Sequence, residues 1–166
     1  MNKAIFLDRD GVIIEDLKYN CNINNIVINN EIIPILKQLQ TKFLLIIITN
    51  QSGVARGYFK LNEVYNFHKH LIKILKDLDI HICDIFVCPH YVRGTIKKYS
   101  IDCDCRKPKI GLIMSARQKY NIDLSKSYLI GDKQSDILCG ENAKLKRSYN
   151  ITMQSPKEIL KQIDMN

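Results

Sequence analysis

The stretch Lys3-Ala4-Ile5-Phe6-Leu7-Asp8-Arg9-Asp10-Gly11 decides the fold of this chain. Its apolar half predicts a buried strand of a parallel sheet, since both faces of such a strand are covered and alternation with polar residues is not needed. Its polar half places two carboxylates, Asp8 and Asp10, at the carboxyl end of that strand, where open α/β sheets bind their ligands. The pair could hold a divalent cation, with one carboxylate attacking a substrate and the other transferring a proton. A bare Asp-x-Asp is more often a turn with solvated side chains, so this interpretation depends on later stretches.

Apolar runs and helical spacings alternate along the rest of the chain. The runs predict further strands at 43–48, 84–88 and 127–131, and a weak edge strand at 146–151. Helical spacing predicts helices at 31–41, 61–78, 110–120 and 133–142. A capping box with Pro at the first helical position, Ser155-Pro156-Lys157-Glu158, opens a last helix. This order predicts an α/β fold: a doubly wound Rossmann-like parallel sheet with helices on both faces, in a single domain over residues 1–166.

Composition limits the compartment and the partners. No apolar run approaches the ~18 residues that a membrane span requires, and the first run is too short for a signal peptide, so we expect a cytoplasmic protein without membrane contact. The net charge is +8, but no run of five basic residues occurs. This favours a solvated lysine-rich surface over a nucleic-acid partner, and such a surface also attracts small phosphorylated substrates. We expect the protein to act as a monomer.

Polar side chains collect where the predicted strands end. They are acids that suit a magnesium ion, together with a hydroxyl and cations that suit a phosphate. Each could singly be a helix cap, a surface pair or a solvated helix residue, but their shared position at strand ends favours one site. Neither a Walker loop nor a Gly-x-Gly-x-x-Gly occurs, so the sequence does not indicate nucleotide binding by either of the usual phosphate-binding loops. The set consists of Asp8, Asp10, Thr49, Arg106, Lys107, Asp132 and Asp136.

Four of these stretches resemble the motifs of the haloacid-dehalogenase-like (HAD-like) phosphatases. In order they are Asp8-Arg9-Asp10-Gly11, Thr49-Asn50-Gln51-Ser52-Gly53, Lys107, and Gly131-Asp132-Lys133-Gln134-Ser135-Asp136. The strings 49–57 (TNQSGVARG) and 103–108 (CDCRKP) are similar to the branch that contains the heptose bisphosphate phosphatases and the histidinol-phosphate phosphatases. The resemblance covers nearly the whole chain. It implies a capless fold with an open site, because little chain lies between the motifs.

The resemblance also implies a role for each residue. Asp8 would be the nucleophile that forms an aspartyl-phosphate, and Asp10 the acid and later the base. Magnesium would be held by Asp8, the main-chain carbonyl of Asp10, and Asp132. Thr49 and Lys107 would hold the transferring phosphoryl group, and Asp136 would support Lys107 or the metal from behind. The remaining implied residues bind the sugar or its second phosphate: Asp16, Tyr19, Asn50, Gln51, Ser52, Arg56, Arg106 and Lys133.

A cysteine cluster indicates separate chemistry. Cys88-Pro89-His90 and, twelve residues later, Cys103-Asp104-Cys105 offer three thiolates and one imidazole, which is a complete tetrahedral zinc set. The single-residue spacers are tighter than usual, but the resembled branch carries zinc in such a loop. A site with four protein ligands has no open position, so Zn²⁺ would be structural, pinning an insertion at about 88–107. Cys21, Cys83 and Cys139 are expected to be free thiols, and His68 and His70 ordinary helix-surface residues.

The resemblance implies magnesium-dependent removal of the 7-phosphate of a heptose 1,7-bisphosphate, in the supply of nucleotide-activated heptose for lipopolysaccharide. The alternatives are a histidinol-phosphate phosphatase, a polynucleotide 3′-phosphatase, or a zinc-bearing nucleic-acid binding module. Several positions depart from the branch's pattern, among them Val12, where a threonine is frequent, and Val92, where a proline is usual. Lys18 replaces a frequent glycine in a loop that should face the sugar, which leaves the anomer open, and Tyr91 replaces a usual histidine after the Cys-Pro-His element.

Overall fold

The fold is built on one parallel five-stranded sheet. A computed structural model describes residues 1–164. The strands run in the spatial order β3-β2-β1-β4-β5, and every neighbouring pair is parallel. The predicted doubly wound α/β class is therefore confirmed. The strands are β1 (Ala4–Leu7), β2 (Leu44–Asn50), β3 (Ile82–Cys88), β4 (Tyr128–Gly131) and β5 (Arg147–Asn150).

Helices connect the strands and cover both faces of the sheet. The helix bounds lie within two residues of the predicted ones, but a short helix after β2 was not predicted. That helix ends at Gly57, which adopts φ +77°, the left-handed conformation that glycine accommodates best. The predicted capping box is present, since Ser155 N donates to Glu158 Oε2 over 2.7 Å. The helices are α1 (Ile33–Leu39), α2 (Gly53–Arg56), α3 (Leu61–Asp77), α4 (Gly111–Tyr120), α5 (Gln134–Asn142) and α6 (Pro156–Asp164).

Two hydrophobic cores lie on opposite faces of the sheet, because successive side chains of a strand point to opposite sides. In β1, Ile5 and Leu7 join the core that is covered by α1, α3 and α6. Ala4 and Phe6 join the other core, which is covered by α4 and α5. Both faces of β1 are thus fully buried, as its uninterrupted apolar run predicts.

One prediction about the helix surface was wrong. His68 of α3 is buried, with 4% of its surface exposed, and it lies inside the fold against Arg9. The spacing contained the signal, since His68 follows Val64 by four residues and precedes Leu71 by three, and both are core residues. His70 is half-buried and bonds the Asn66 carbonyl of its own helix through Nδ1.

The sheet brings the carboxyl ends of its strands to one edge. The carboxyl ends of β1, β2 and β4 are adjacent, since β1 pairs with both of the others. β2 runs to Asn50 and pairs there with Cys88 of β3, so the insertion that follows Cys88 begins at the same edge. The polar stretches after these strands therefore meet. None of the helices within residues 1–164 is both long enough and apolar enough to cross a membrane.

Candidate active site

An open cleft of about 410 Å³ lies at the carboxyl edge of the sheet. Most of the side chains predicted to form the site line it, as does Lys18 of the loop expected to face the sugar, together with Arg9 and Ser135, which were not predicted. Thr49 is fully buried next to the cleft, and its hydroxyl accepts a hydrogen bond from Gln51 Nε2 over 2.9 Å. The predicted residues that line the cleft are Asp8, Asp10, Asp16, Tyr19, Asn50, Gln51, Ser52, Arg106, Lys107, Lys133 and Asp136.

Asp8, directly after β1, is a buried carboxylate with one oxygen held firmly. Its Oδ1 accepts from Arg9 N over 2.8 Å and lies 2.9 Å from Lys107 Nζ. Burial is the main cause that raises the pKa of Asp8; Lys107 lowers it, the Asp136 and Asp10 carboxylates raise it, and the net value is about 7. The second oxygen, Oδ2, is left available for a metal ion or a substrate.

Lys107 is the cation at the centre of the site. Its Nζ lies 2.9 Å from Asp8 Oδ1, 2.7 Å from Asp136 Oδ1 and 2.9 Å from the Ile48 carbonyl. Burial alone would lower the pKa of Lys107, but the two carboxylates raise it, so the ammonium stays charged. Asn50 fixes the main chain beneath it, accepting from Lys107 N and donating to Lys107 O.

A second acidic group faces Asp8 from the end of β4. Ligand atoms of Asp8, Asp132 and Asp136 all lie within 4.8 Å of one another. Both carboxylate oxygens of Asp136 already have protein partners, which are Lys107 Nζ and Lys133 N. Asp132 Oδ1 is buried without a hydrogen-bond partner. A buried carboxylate oxygen without a partner destabilises the fold, and a bound cation would remove that penalty. The geometry therefore suits a divalent cation held by Asp8 and Asp132, with Asp136 supporting Lys107 instead.

Asp10 is oriented from behind by Arg9. Arg9 is only 1% exposed, and its Nε and Nη2 donate to the Asp10 carboxylate over 2.8 to 3.2 Å. Gln51 Nε2 donates to Asp10 Oδ2 over 2.9 Å. The remaining side of the guanidinium reaches His68 Nε2 at 3.1 Å. Sequence reasoning missed both Arg9 and His68, although a charge between two aspartates of a strand-end motif had to find buried partners.

Charged and aromatic side chains form the rim of the cleft. Lys133 Nζ lies 3.0 Å from Asp16 Oδ2 and 3.5 Å from Asp132 Oδ2. Burial by itself would raise the pKa of Asp16, but hydrogen bonds from Lys133 and from Lys18 N lower it, so Asp16 stays ionised. Lys18 and Tyr19 adopt φ of 42° and 51°, in the left-handed region that favours glycine. This conformation explains why a glycine at position 18 suits the loop.

Two arginines lie against the ring of Tyr91 on the insertion side of the cleft. The guanidinium carbons of Arg56 and Arg106 lie 3.9 and 5.3 Å from the centroid of that ring. Arg56 Nε is buried without a hydrogen-bond partner, and Arg106 Nη1 donates to the His90 carbonyl over 3.3 Å. Two fixed guanidinium groups suit an anionic group of a substrate. The sequence alone gave no signal for the part played by Tyr91.

The four predicted ligands of the insertion converge. The sulfurs of Cys88, Cys103 and Cys105 and Nδ1 of His90 all lie within 4.8 Å of one another. Cys103 Sγ is 3.6 Å from Cys88 Sγ and 3.4 Å from Cys105 Sγ, and His90 Nδ1 is 3.3 Å from Cys105 Sγ. None of the cysteines in the described part of the chain forms a disulfide, and Cys21, Cys83 and Cys139 lie outside this cluster.

Known proteins are similar to this chain in sequence. A family model described as polynucleotide kinase 3 phosphatase matches residues 3–162. The D-glycero-alpha-D-manno-heptose-1,7-bisphosphate 7-phosphatase of Photorhabdus laumondii is 41% identical over 93% of this chain and 85% of its own. The D-glycero-beta-D-manno-heptose-1,7-bisphosphate 7-phosphatase of Pasteurella multocida is 39% identical over 94% and 85%. The chain belongs to the heptose-1,7-bisphosphate 7-phosphatase family.

Solved structures share the fold of this chain. A protein from Mesorhizobium loti described as a HAD-like phosphatase superposes with a TM-score of 0.82 at 30% identity, over 87% of this chain and 69% of its own. The D,D-heptose 1,7-bisphosphate phosphatase of B. bronchiseptica, crystallised with magnesium and phosphate, superposes with a TM-score of 0.81 over 98% of both chains. At 22% identity, the second likeness concerns the fold alone. The HAD-like fold and the phosphatase class expected from the motifs are confirmed.

Proposed function

We propose that this protein is a magnesium-dependent phosphatase that removes the 7-phosphate of a D-glycero-D-manno-heptose 1,7-bisphosphate. The observation that carries the proposal is the buried Asp8, held 2.9 Å from Lys107 Nζ beside the unpartnered oxygen of Asp132. A carboxylate nucleophile, a fixed cation and a metal site within a few ångströms are the parts that phosphoryl transfer needs. Relatives named for this reaction are 38 to 41% identical to the chain.

The reaction would proceed in two displacements at phosphorus. In the first, a carboxylate oxygen of Asp8 attacks, the bond from phosphorus to the sugar oxygen breaks, and Asp10 gives that oxygen its proton. In the second, water attacks the aspartyl-phosphate, its proton passes to Asp10, and inorganic phosphate and the Asp8 carboxylate are released. Lys107 keeps Asp8 in place and, with the Thr49 hydroxyl close by, stabilises charge on the phosphoryl oxygens.

Magnesium fits the acidic face of the cleft. Asp8, Asp132 and the main-chain carbonyl of Asp10 would hold it, an oxygen set of the kind that Mg²⁺ prefers. When bound, the ion would neutralise the phosphoryl oxygens and lower the cost of bringing a phosphate to buried carboxylates. Asp136 contributes by holding Lys107, since both of its oxygens already have protein partners.

The second phosphate of the substrate would bind on the insertion side of the cleft. Arg106 lines the cleft there and is held against Tyr91, with Arg56 on the same ring. The heptose itself would lie among the polar side chains of the floor and rim, which are Asp16, Tyr19, Asn50, Gln51, Ser52 and Lys133. Arg106→Ala should reduce kcat/KM for the bisphosphate at least ~10-fold more than for a small monophosphate ester, since a charge-assisted contact contributes about 1.5–3 kcal/mol. Arg93→Ala, in the same insertion but exposed, is the matched control; equal losses on both esters would remove Arg106 from this role.

We infer that the insertion carries a structural zinc ion held by Cys88, His90, Cys103 and Cys105. Zn–S bonds of about 2.3 Å at tetrahedral angles place neighbouring sulfurs about 3.8 Å apart, close to the separations of 3.4 and 3.6 Å seen here. The ion would fix both ends of the segment that carries Tyr91 and Arg106, each next to a ligand in sequence. Elemental analysis should give one zinc per chain, lost in Cys105→Ser and kept in Cys83→Ser. Full zinc in Cys105→Ser would contradict the site.

A parallel assay tests the function. Phosphate release is measured with and without Mg²⁺ from the α and β anomers of the heptose bisphosphate, from histidinol phosphate, and from a 3′-phosphorylated oligonucleotide. We expect turnover of a heptose bisphosphate that needs Mg²⁺ and disappears in Asp8→Asn. Preference for histidinol phosphate, or retained turnover in the variant, would overturn the proposal.

A second candidate is a polynucleotide 3′-phosphatase, favoured by the matching family model and by the net charge of +8. The same chemistry at the cleft serves either substrate, so the difference must lie in what the rim recognises. Turnover of the oligonucleotide at a kcat/KM above that of both heptose anomers would establish this alternative. Tight oligonucleotide binding without any turnover would instead indicate a binding module.

A further inference from the structure

We propose that His68 is a positioning residue for Asp10, acting through Arg9. The proposal rests on the proposed function, in which Asp10 carries the proton to the leaving oxygen. Arg9 stands between the two residues, with Nε and Nη2 on the Asp10 carboxylate and Nη1 at 3.1 Å from His68 Nε2. The three side chains form one continuous chain of hydrogen bonds from α3 to the cleft.

The chemistry of Arg9 fixes the state of the imidazole. A guanidinium has donors and no acceptor, so His68 Nε2 must accept, and the ring must be neutral with its proton on Nδ1. Burial and the charge of Arg9 lower the pKa of His68 to about 3, in agreement with a neutral ring. Arg9 is 1% exposed, so without this acceptor its Nη1 would have a buried N–H group left unpaired.

The packing makes this chain of contacts rigid. The guanidinium carbon of Arg9 lies 4.6 Å from the centre of the Phe67 ring, so the group is held by a face contact as well as by hydrogen bonds. His68 sits between core residues of α3, with Val64 and Leu71 fully buried on the same helix face. Asp10 is 22% exposed to the cleft while Arg9 occupies its buried side. His68 therefore sets the angle at which Asp10 faces a leaving group.

The test compares two leaving groups. Proton transfer from Asp10 matters for a sugar oxygen but not for p-nitrophenolate, which departs without a proton. His68→Leu should lower kcat/KM about 10- to 100-fold on the heptose bisphosphate and less than about 3-fold on p-nitrophenyl phosphate. His68→Gln, which restores an acceptor near the position of Nε2, should recover the bisphosphate rate to within about 3-fold. His70→Leu, on the same helix but away from Arg9, is the control and should change neither rate.

Several outcomes would overturn the proposal. Equal losses on both substrates in His68→Leu would mean a general structural role. No rescue by a folded His68→Gln would remove the acceptor from the argument. If His68→Leu does not fold, the ¹⁵N chemical shifts of the wild-type imidazole still decide: a protonated Nε2 contradicts the proposal, and an unprotonated Nε2 with Nδ1–H supports it. If the wild type does not turn over the bisphosphate but hydrolyses p-nitrophenyl phosphate, the proposed substrate is wrong, and glycerol phosphate replaces it as the alkyl ester in the same comparison.

Discussion

Replacing Lys107 by Met should both inactivate and destabilise the protein. The substitution keeps much of the side-chain volume but removes an ammonium that is 2% exposed and lies within 2.9 Å of Asp8, Asp136 and the Ile48 carbonyl. Two buried carboxylates would then face each other without a cation. Breaking a buried ion pair from one side costs about 3–5 kcal/mol, which for a chain of this size lowers Tm by about 6 to 20 °C.

The loss of stability should depend on pH, because protonation of Asp8 relieves the repulsion between the Asp8 and Asp136 carboxylates that the substitution creates. Asp8 already titrates at a pKa of about 7 with Lys107 present, and this value should rise further without it. We expect the substitution to lower the free energy of unfolding by the full amount, about 3–5 kcal/mol, at pH 8 and by only about 1–2 kcal/mol near pH 5.5. Urea denaturation of the wild type and the variant at pH 8 and pH 5.5, in buffer without added magnesium, measures this difference in the free energy of unfolding.

Lys109→Met is the matched control. Lys109 pairs with Asp102 over 2.6 Å, but both side chains are exposed, and exposed pairs contribute about 0–1 kcal/mol. The two lysines stand two positions apart in the same segment, so the difference between the two variants measures the effect of burying the ion pair. The reasoning is refuted if Lys107→Met costs no more than Lys109→Met, or if its cost is the same at pH 8 and pH 5.5.

Three further predictions concern the loop, the nucleophile and the metal. Lys18→Gly should raise the free energy of unfolding by about 0.5 to 1 kcal/mol, because φ at position 18 is 42°; an unchanged urea midpoint would contradict this. Burial raises the folded pKa of Asp8 to about 7, whereas in the unfolded chain it stays near its ordinary value of about 4. The folded state therefore binds more protons in this window, and without magnesium the wild type should lose stability relative to Asp8→Asn as pH rises from about 4 to about 7; parallel stability curves would refute the assignment. Gly11→Ala should weaken Mg²⁺ binding at least ~10-fold, because its Cβ would lie 2.4 Å from Asp132 Oδ2. Calorimetric titration measures that affinity, and Gly57→Ala, with φ +77° but no contact with Asp132, should leave it unchanged.

Much of the fold follows from patterns that are local in the chain. The apolar run of β1 and the longer run of β2 are buried on both faces, so neither needed tertiary information to be recognised as a strand. Helix bounds moved by two residues at most, since caps and fraying decide the last turn. The short α2 was missed because a four-residue helix has too few positions to show a period.

Most residues of the candidate site could be predicted from the sequence, but the contacts between them could not. Parallel strands end at one edge of a sheet, which brings Asp8 and Asp132 together whatever the details of the loops. The sequence could not show that Lys107 bonds to Asp8 and Asp136 at once, because its segment reaches the cleft through an insertion that is irregular apart from one 3-10 turn, Lys97–Tyr99. Nor could it decide between the two roles expected for Asp136, support of Lys107 or of the metal, since that choice depends on side-chain directions at the start of α5.

The sequence by itself determined the order of the strands and of the longer helices, the polar residues that stand at strand ends, and the cysteine and histidine residues that the insertion carries. These are consequences of hydrophobic periodicity and of residue chemistry, which act over a few neighbouring positions. Only the tertiary structure decided which buried charges are partners: Lys107 with Asp8 and Asp136, and Arg9 with Asp10 and His68. A buried charge must find its partner in space, and the rotation of α3 that turns His68 toward Arg9 is set by packing against the sheet.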